Sequence, residues 1–269
     1  MDKKVSNKRF GLIGNPVSGS LSPRLFEAAY GGRYAYDLIE GAVFKASWQR
    51  FLDSYDGINI TAPFKLDAFR SVDRLSDGAR LCGAVNLAVK TPDGIVGYNT
   101  DVDGVVLSVQ ETGLPVSEAL VVGCGGAGRA AAAGALRLGC RVTLVNRTPG
   151  RAAELAAALG CAWAPLPSPV GPSPVVGPSS AGAPAPIDRL SPDLVIYTVP
   201  GPMEGLPEFP GAVILEANYR TPCLAGHGRA YIPGQRWLLY QAIAGYAVFT
   251  GETPDAEAMS RLFPDSPLR

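Results

Sequence analysis

A glycine-rich turn is the first candidate for chemistry in the sequence. Gly123, Gly125 and Gly128 stand in GxGxxG spacing between the apolar run ALVV and the alanine-rich run AAAAGALRL. In a strand-turn-helix unit these glycines permit a tight turn, let the backbone approach a pyrophosphate, and allow close helix-to-strand packing. The spacing alone also fits a structural turn. With these flanks it predicts a dinucleotide site, with Gly126 and Ala127 at the helix start that meets the phosphates.

The end of the next apolar run indicates which dinucleotide is bound. RVTLV is followed by Asn146, Arg147 and Thr148, with Arg151 one turn later, and no Asp or Glu stands at the strand end. An acidic residue there would accept the ribose 2′-OH of NAD, whereas two guanidinium groups beside a hydroxyl suit a 2′-phosphate. The arginines could also be ordinary solvated charges at a helix start. The pattern favours NADP(H).

Polar residues collect at the ends of apolar runs in the first hundred residues. The segments GNPVSGSLSP, GINITAPFK, GAVN and GYNTD contain Ser20, Ser22, Asn59, Thr61, Lys65, Asn86 and the run from Asn99 to Asp101. Loops at strand ends are where α/β proteins place their substrates. Any one of these residues alone is more often a turn or cap residue. Their combination predicts a substrate site.

The order of the motifs resembles the shikimate dehydrogenase family over nearly the whole chain. The matching stretches are GNPVSGSLSP, NITAPFK, GAVN, GYNTD, GCGGAGRA, NRTPGRA and QAIAGYAVFTG. NITAPFK followed by GAVN and NTD is far more specific than a dinucleotide fingerprint. The resemblance implies NADPH-dependent reduction of 3-dehydroshikimate to shikimate, in the chorismate route to aromatic amino acids.

The resemblance also implies a role for each matching residue. Lys65 and Asp101 would form the catalytic pair. Ser20, Ser22 and Tyr219 would hold the substrate carboxylate, Thr61, Asn86 and Gln241 would bind its hydroxyls, and Gly234 would join the cofactor set. A lysine suits this chemistry, because hydride transfer to a ketone leaves an oxyanion that a cationic proton donor stabilises. Asp101 would orient the ammonium group. The alternative to a catalytic role is that Lys65 and Asp101 form an ordinary surface salt bridge worth about 0–1 kcal/mol.

Three places depart from the family pattern. Val102 and Asp103 stand between NTD and Gly104, which we expect to alter the hinge between the domains. The segment expected to face the nicotinamide reads YTVP at 197–200, and Trp237 stands where the family commonly has a methionine. We expect Trp237 to crowd the nicotinamide ring face. Cofactor geometry is therefore less well predicted than substrate geometry.

Two alternative functions stay open. One is an enzyme that oxidises quinate as well as shikimate, often with NAD, which the segment from Asn146 to Arg151 disfavours. The other is a non-catalytic NADPH-binding regulatory relative, suggested by the altered segment at 197–200. The presence of both Lys65 and Asp101 disfavours it, because a regulatory module needs no proton donor.

The elements that must position these residues alternate between strand and helix along the chain, which is typical of an α/β fold. We predict an α/β substrate-binding domain of residues 1–103, completed by 238–269. A Rossmann-type NADP-binding domain would occupy residues 104–237. The stretch from 163 to 186 is rich in proline, serine and glycine. It predicts a surface loop or mobile insertion, with a PxxP-like binding role as the alternative.

Composition excludes several classes of function. The 269 residues suit two domains, and the 24 basic and 24 acidic side chains leave no net charge to attract nucleic acid or an anionic membrane. No apolar run reaches the ~20 residues of a membrane span. Five cysteines without a CxxC pair favour no disulfide framework, no metal site and a cytoplasmic location. We predict a monomer or homodimer, a buried Cys124 rather than a reactive one, and a surface loop at His227.

Overall fold

Strands and helices alternate through the described part of the chain, which is residues 6–166 and 187–264 of the computed structural model. They form two compact units. One contains the chain up to Leu107 and from Gln235 onward, and the other contains Ser108–Gly234. The predicted domain ends, after residue 103 and before residue 238, fall close to these breaks. They could not be placed more closely, because a helix runs through each break.

The first unit is a six-stranded sheet with helices. Its elements are β1 (Arg9–Gly14), α1 (Ser22–Tyr30), β2 (Ala35–Glu40), α2 (Phe44–Ser54), β3 (Gly57–Ile60), α3 (Lys65–Ser71), β4 (Arg74–Leu75), α4 (Asp77–Cys82), β5 (Leu87–Thr91), β6 (Gly94–Tyr98), α5 (Asp101–Gln110), α8 (Gly234–Thr250) and α9 (Ala256–Ser260). The strand order is β2-β1-β3-β5-β6-β4. Strand β5 runs antiparallel to its neighbours β3 and β6. The carboxyl ends of β1, β3 and β6 and the start of β5 therefore share one edge.

The hydrophobic core of the first unit contains side chains from both its N-terminal and its C-terminal segments. Phe10 on β1 stacks on Phe249 of α8 with ring centroids 4.9 Å apart. Phe26 of α1 meets the Tyr246 ring edge-on at 4.8 Å. Because these aromatic side chains are buried, α8 is part of the hydrophobic core of this unit.

The second unit is a parallel six-stranded sheet. Its elements are β7 (Glu118–Val122), α6 (Gly126–Arg137), β8 (Arg141–Val145), α7 (Pro149–Leu159), β9 (Ala162–Trp163), a short 3-10 helix (Ile187–Arg189), β10 (Leu194–Tyr197), β11 (Val213–Glu216) and β12 (Ala230–Pro233). The order β12-β11-β10-β7-β8-β9 reverses between β7 and β10. That reversal defines the switch point where doubly wound sheets bind ligands. The predicted Rossmann-type fold is confirmed.

The prediction of a loop from residue 163 is wrong for its first residues. Trp163 belongs to β9, and the Ala164 N–H donates to the Leu144 carbonyl oxygen at 2.9 Å. Ala164 and Ile187 are each 1% exposed. Strand pairing here overrides the proline-rich composition. Residues 167–186 lie outside the described residues. Within the described ranges, no helix has both the length and the apolar character needed to cross a membrane.

Candidate active site

The turn after β1 brings Ser20 and Ser22 together. The Ser20 hydroxyl donates to the Ser22 hydroxyl oxygen at 3.1 Å, and Ser22 is the first residue of α1. A carboxylate oxygen of Glu40, at the end of β2, accepts from the backbone N–H groups of Val17 and Ser18 at 2.8 and 3.0 Å. These bonds hold the turn in place. Both serine hydroxyls are therefore fixed at the carboxyl edge of the sheet.

The segment after β3 places Thr61 and Lys65. The Thr61 N–H donates to the Ile13 carbonyl oxygen at 3.0 Å, and the Phe64 N–H donates to the Thr61 carbonyl oxygen at 3.0 Å. This turn makes Lys65 the first residue of α3. A Cβ at Gly14 would lie 2.3 Å from Thr61 Cγ2, so a glycine is required where the ends of β1 and β3 meet.

Lys65 and Asp101 form an ion pair at this edge. Lys65 Nζ donates to Asp101 Oδ2 at 2.5 Å, and the two side chains are 16% and 14% exposed. Asp101 begins α5 directly after β6, and the Trp237 indole N–H donates to the Asp101 carbonyl oxygen at 2.9 Å. The pair is largely buried, so the alternative of an ordinary surface salt bridge does not describe it.

A third group of side chains surrounds Asn86, which is 3% exposed. Asn86 Oδ1 accepts from the Thr100 N–H at 2.8 Å, and its Nδ2 donates to Thr100 Oγ1 at 3.2 Å. The same Nδ2 lies 3.5 Å from Gln241 Oε1. Asn59 Nδ2 donates to the Asn86 carbonyl oxygen at 3.4 Å. Asn59 and Thr100 belong to this group although the resemblance assigned them no role. Their positions within NITAPFK and NTD were the sequence signal that could have identified them.

Tyr219 lies in the second unit, unlike the other residues predicted to bind substrate. It follows β11, is half-buried, and has the Arg220 guanidinium carbon 5.9 Å from its ring centroid. Its predicted contact with the substrate carboxylate remains a prediction.

A buried carboxylate anchors the turn that carries Tyr219. Glu216, the last residue of β11, is 0% exposed. It accepts from the backbone N–H groups of Cys223 and Leu224 at 2.8 and 3.0 Å and from the Tyr231 hydroxyl at 2.9 Å. Burial and the adjacent Glu216 raise the pKa of the Cys223 thiol to about 11. These hydrogen bonds compensate for the loss of water around the carboxylate.

The glycine turn has the geometry that its spacing predicts. Gly123 has φ +103° directly after β7, a backbone conformation that disfavours other residues. A Cβ at Gly128 would lie 1.9 Å from the Gly123 carbonyl oxygen, so the helix start packs tightly on the turn. A Cβ at Gly125 would meet no described atom within 4 Å. The Gly125 backbone is thus open to a ligand, as a pyrophosphate requires.

A cavity of about 890 Å³ lies beyond the end of β8. Its lining includes Asn146, Arg147, Thr148, Arg151, Val199, Met203 and Glu204. The volume is that of a typical small-molecule site. Asn146 Nδ2 donates to the Thr148 carbonyl oxygen at 3.0 Å, which fixes the turn between β8 and α7. With Arg147 and Arg151 in its wall, the cavity fits a phosphorylated ribose.

One expectation about the cofactor side needs correction, and two remain predictions. Tyr197 ends β10, is 0% exposed and donates to the Gly201 carbonyl oxygen at 2.6 Å, so it belongs to a strand, and the loop expected to face the nicotinamide begins after it. Burial raises its pKa to about 12. Val102 is fully buried in the first turn of α5, so the departure from the family pattern lies within a helix, and its effect on the hinge between the domains remains a prediction. Trp237 is 5% exposed and packs within the first unit, where a Cβ at Gly104 would lie 2.5 Å from its Cδ1. Its contact with the nicotinamide also remains a prediction.

Gly234 has a structural reason to be glycine. A Cβ there would lie 2.5 Å from the Ala217 carbonyl oxygen and 2.6 Å from that of Glu216. The close approach between the start of α8 and the end of β11 therefore excludes a side chain. A contact between Gly234 and the cofactor remains a prediction.

Cys124 and His227 have no chemical role in the proposed site. Cys124 is 9% exposed, and burial raises its pKa to about 11, which confirms its prediction as a neutral filler. His227 is exposed in a turn, with Nδ1 3.8 Å from Glu208 Oε1, so the predicted surface loop is confirmed. All five cysteines lie within the described residues and are thiols. Among those residues no group of three or more His, Cys, Asp or Glu side chains could hold a metal ion.

Family models match both parts of the chain. The substrate-binding domain of shikimate dehydrogenase matches residues 12–88, which include the segments around Ser20, Lys65 and Asn86. An FAD-binding domain matches residues 118–182, which include the glycine turn. NADP and FAD both contain a pyrophosphate, so the second match is to a dinucleotide-binding pattern rather than to one dinucleotide.

Whole proteins match over nearly their full length. The shikimate dehydrogenase (NADP(+)) of Rubrobacter xylanophilus is 36% identical, and the match covers 93% of each chain. That of Moorella thermoacetica is 34% identical over 96% of this chain and 93% of its own. The structure of shikimate 5-dehydrogenase from Thermus thermophilus in complex with NADP(H) and shikimate is similar with a TM-score of 0.77 and 26% identity. That match covers 94% of this chain and 97% of the other.

Proposed function

This chain belongs to the shikimate dehydrogenase family, and we propose that it reduces 3-dehydroshikimate to shikimate with NADPH. It is an NADP-dependent oxidoreductase of that family. The observation that supports the proposed reaction best is the largely buried Lys65–Asp101 pair, with Nζ and Oδ2 2.5 Å apart, among polar side chains of the family motifs. A ketone reductase needs a proton donor beside the carbonyl oxygen, and a lysine ammonium group can fill that role.

Lys65 supplies the proton and stabilises the developing charge. Bound NADPH supplies the hydride that reaches the carbonyl carbon of the substrate. The electron pair of the C=O bond moves to oxygen, where the Lys65 ammonium stabilises it and donates a proton. The lysine is left as a neutral amine and regains a proton from solvent. Asp101 orients the ammonium group, because its Oδ2 accepts a hydrogen bond from Lys65 Nζ.

The other predicted side chains match the functional groups of the substrate. Ser20 and Ser22, together with Tyr219, would donate hydroxyl hydrogen bonds to the carboxylate. The amides of Asn86 and Gln241 and the hydroxyl of Thr61 both donate and accept, as a hydroxyl group on the substrate requires. A site of this composition binds a small acid with several hydroxyls.

The second unit would hold NADPH by its phosphates. The open Gly125 backbone and the start of α6 at Gly126 present N–H groups for the pyrophosphate. Arg147 and Arg151 would bind the 2′-phosphate in the cavity of about 890 Å³. Arginine is suited to this role, because its planar donor groups match a phosphate.

A direct assay tests the proposal. The purified chain is mixed with NADPH and 3-dehydroshikimate, and the loss of NADPH absorbance is followed. NADH replaces NADPH in a second reaction, and quinate with NADP⁺ is tested in a third. We expect turnover with NADPH, much slower turnover with NADH, and little with quinate. No loss of NADPH absorbance that depends on 3-dehydroshikimate would contradict the proposed function, and equal turnover of quinate would contradict its specificity.

A further inference from the structure

Tyr36 of β2 contacts the site although no motif of the sequence contains it. Its hydroxyl donates to Asn59 Oδ1 at 2.7 Å. The same hydroxyl also interacts with the Ser22 hydroxyl. Burial raises the pKa of Tyr36 well above its ordinary value, so the hydroxyl keeps its proton throughout the working pH range. Tyr36 is therefore a permanent hydrogen-bond donor behind the substrate site.

Tyr36 connects two groups of predicted binding residues. On one side, the Ser20 hydroxyl donates to Ser22, whose hydroxyl meets that of Tyr36. On the other side, Asn59 donates from Nδ2 to the Asn86 carbonyl oxygen at 3.4 Å. The two groups come from the turn after β1 and from the ends of β3 and β5. Tyr36 stands between them, hydrogen-bonded to Asn59 and close to the Ser22 hydroxyl.

The contact with Tyr36 decides how the Asn59 amide is oriented. An asparagine amide has an oxygen that only accepts and a nitrogen that only donates. Because Tyr36 donates to Oδ1, the nitrogen must point toward the Asn86 carbonyl oxygen and the site. Without the Tyr36 hydroxyl, only the 3.4 Å contact with the Asn86 carbonyl oxygen would favour this orientation, and a buried oxygen would lose its donor.

A second tyrosine, Tyr246 in the hydrophobic core, also contacts the residues around Tyr36. The Tyr246 hydroxyl donates to the Ser22 carbonyl oxygen at 3.0 Å. The Tyr36 and Phe26 rings lie 4.8 Å apart. The Phe26 and Tyr246 rings hold the Tyr36 ring, so removal of its hydroxyl oxygen changes a hydrogen bond without removing a ring from the core.

We propose that Tyr36 is a positioning residue for substrate binding, whose hydroxyl fixes the Asn59 amide with its N–H groups toward the substrate. The inference rests on the proposed function. It assigns Tyr36 no contact with substrate or cofactor. It therefore predicts an effect on substrate affinity rather than on the chemical step.

The first test is Tyr36→Phe with Tyr34→Phe as the matched control. The Tyr34 hydroxyl donates to Glu252 at 2.8 Å, outside the site. We expect Tyr36→Phe to raise the KM for 3-dehydroshikimate about 3- to 10-fold, as the loss of one hydrogen bond does. We expect kcat and the KM for NADPH to stay within about twofold. Tyr34→Phe should change none of these constants.

A second comparison tests whether Tyr36 acts through Asn59. Asn59→Ala removes the oxygen that accepts the hydrogen bond from Tyr36. The double variant Asn59→Ala/Tyr36→Phe should therefore have the same KM for 3-dehydroshikimate as Asn59→Ala alone. This pair stays measurable even where Tyr36→Phe alone folds poorly, because no amide oxygen is left without a donor. A further rise in KM in the double variant would overturn the inference. So would a Tyr36→Phe enzyme with the KM of the wild type. An inactive wild type would instead contradict the proposed function.

Discussion

The Lys65 ammonium nitrogen lies 2.5 Å from Asp101 Oδ2, although both side chains are more than four-fifths buried. An ion pair in such a place carries a desolvation cost, and the loss of either partner leaves the other charge buried and uncompensated. α3 and α5 begin at these two residues, so backbone geometry fixes both side chains at the same edge of the sheet. Substitutions of Lys65 or Asp101 should therefore lower kcat.

We expect Lys65→Ala to lower kcat by about 10²- to 10⁴-fold, because the proton donor for the oxyanion is lost. The dissociation constant of shikimate, measured by calorimetry, should change far less. Asp101→Asn should lower kcat too, since the lysine loses its charged partner. Lys90→Ala is the control, because Lys90 is exposed and its Nζ donates to the Leu52 carbonyl oxygen instead. Lys65→Ala with more than a tenth of wild-type kcat would exclude the proposed role.

Two glycines of the turn should have different roles, one in folding and one in cofactor binding. A Cβ at Gly128 would lie 1.9 Å from a backbone oxygen, so Gly128→Ala should lower the thermal midpoint markedly. Gly125→Ala should leave the midpoint within about 2 °C, because its φ of −77° suits alanine and no described atom blocks the Cβ. It should nevertheless weaken NADPH binding about tenfold or more, because the pyrophosphate needs that space. Unchanged NADPH affinity in Gly125→Ala would show that the phosphates bind elsewhere.

Much of this site was predictable because its residues lie in short local motifs. The glycine turn follows from local backbone rules, and Lys65 and Asp101 lie in family-specific segments. Tyr36 was not predictable in this way. AYDLIE predicts only a strand, and the contact with Asn59 depends on β1 lying between β2 and β3.

Tyr197 shows the opposite limit of sequence reasoning. The family pattern predicted a loop, facing the nicotinamide, that begins at residue 197. Pairing of Tyr197 with Glu216 on one side and Val122 on the other makes it the last residue of β10. Likewise, composition predicted a loop from residue 163, but pairing of Leu144 with Trp163 extends the sheet. Tertiary pairing decided each of these strand ends.

Arg147 should determine the preference for NADPH over NADH. Arg147→Ala removes a charged donor from the wall of the cavity. We expect the KM for NADPH to rise about 10- to 100-fold, as the loss of a hydrogen bond to a charged group does, while the KM for NADH stays nearly unchanged. Arg141→Ala is the control, since Arg141 lies at the opposite end of β8 and pairs with Glu118. Equal effects on both cofactors would contradict binding of the 2′-phosphate by Arg147.

The thiol of Cys124 should react only at high pH, despite its place in the glycine turn. Burial raises its pKa from 9.0 to about 11, against the smaller opposing effect of Arg129. The thiolate is the nucleophile, so at pH 8 only about one thiol in a thousand is reactive. Alkylation of Cys124 by iodoacetamide, followed by mass spectrometry, should therefore accelerate about tenfold per pH unit between pH 8 and 10.

The comparison with a free thiol decides the outcome of that experiment. Glutathione in the same tube, with an ordinary pKa of about 8.5, should be alkylated much faster at pH 8, and its rate should level off above about pH 9.5. The protein must keep its activity with NADPH over the same range, because local unfolding would expose the thiol. Alkylation of Cys124 at pH 8 as fast as that of glutathione would show an ionised, accessible thiol. The turn would then carry a reactive nucleophile instead of a packed side chain.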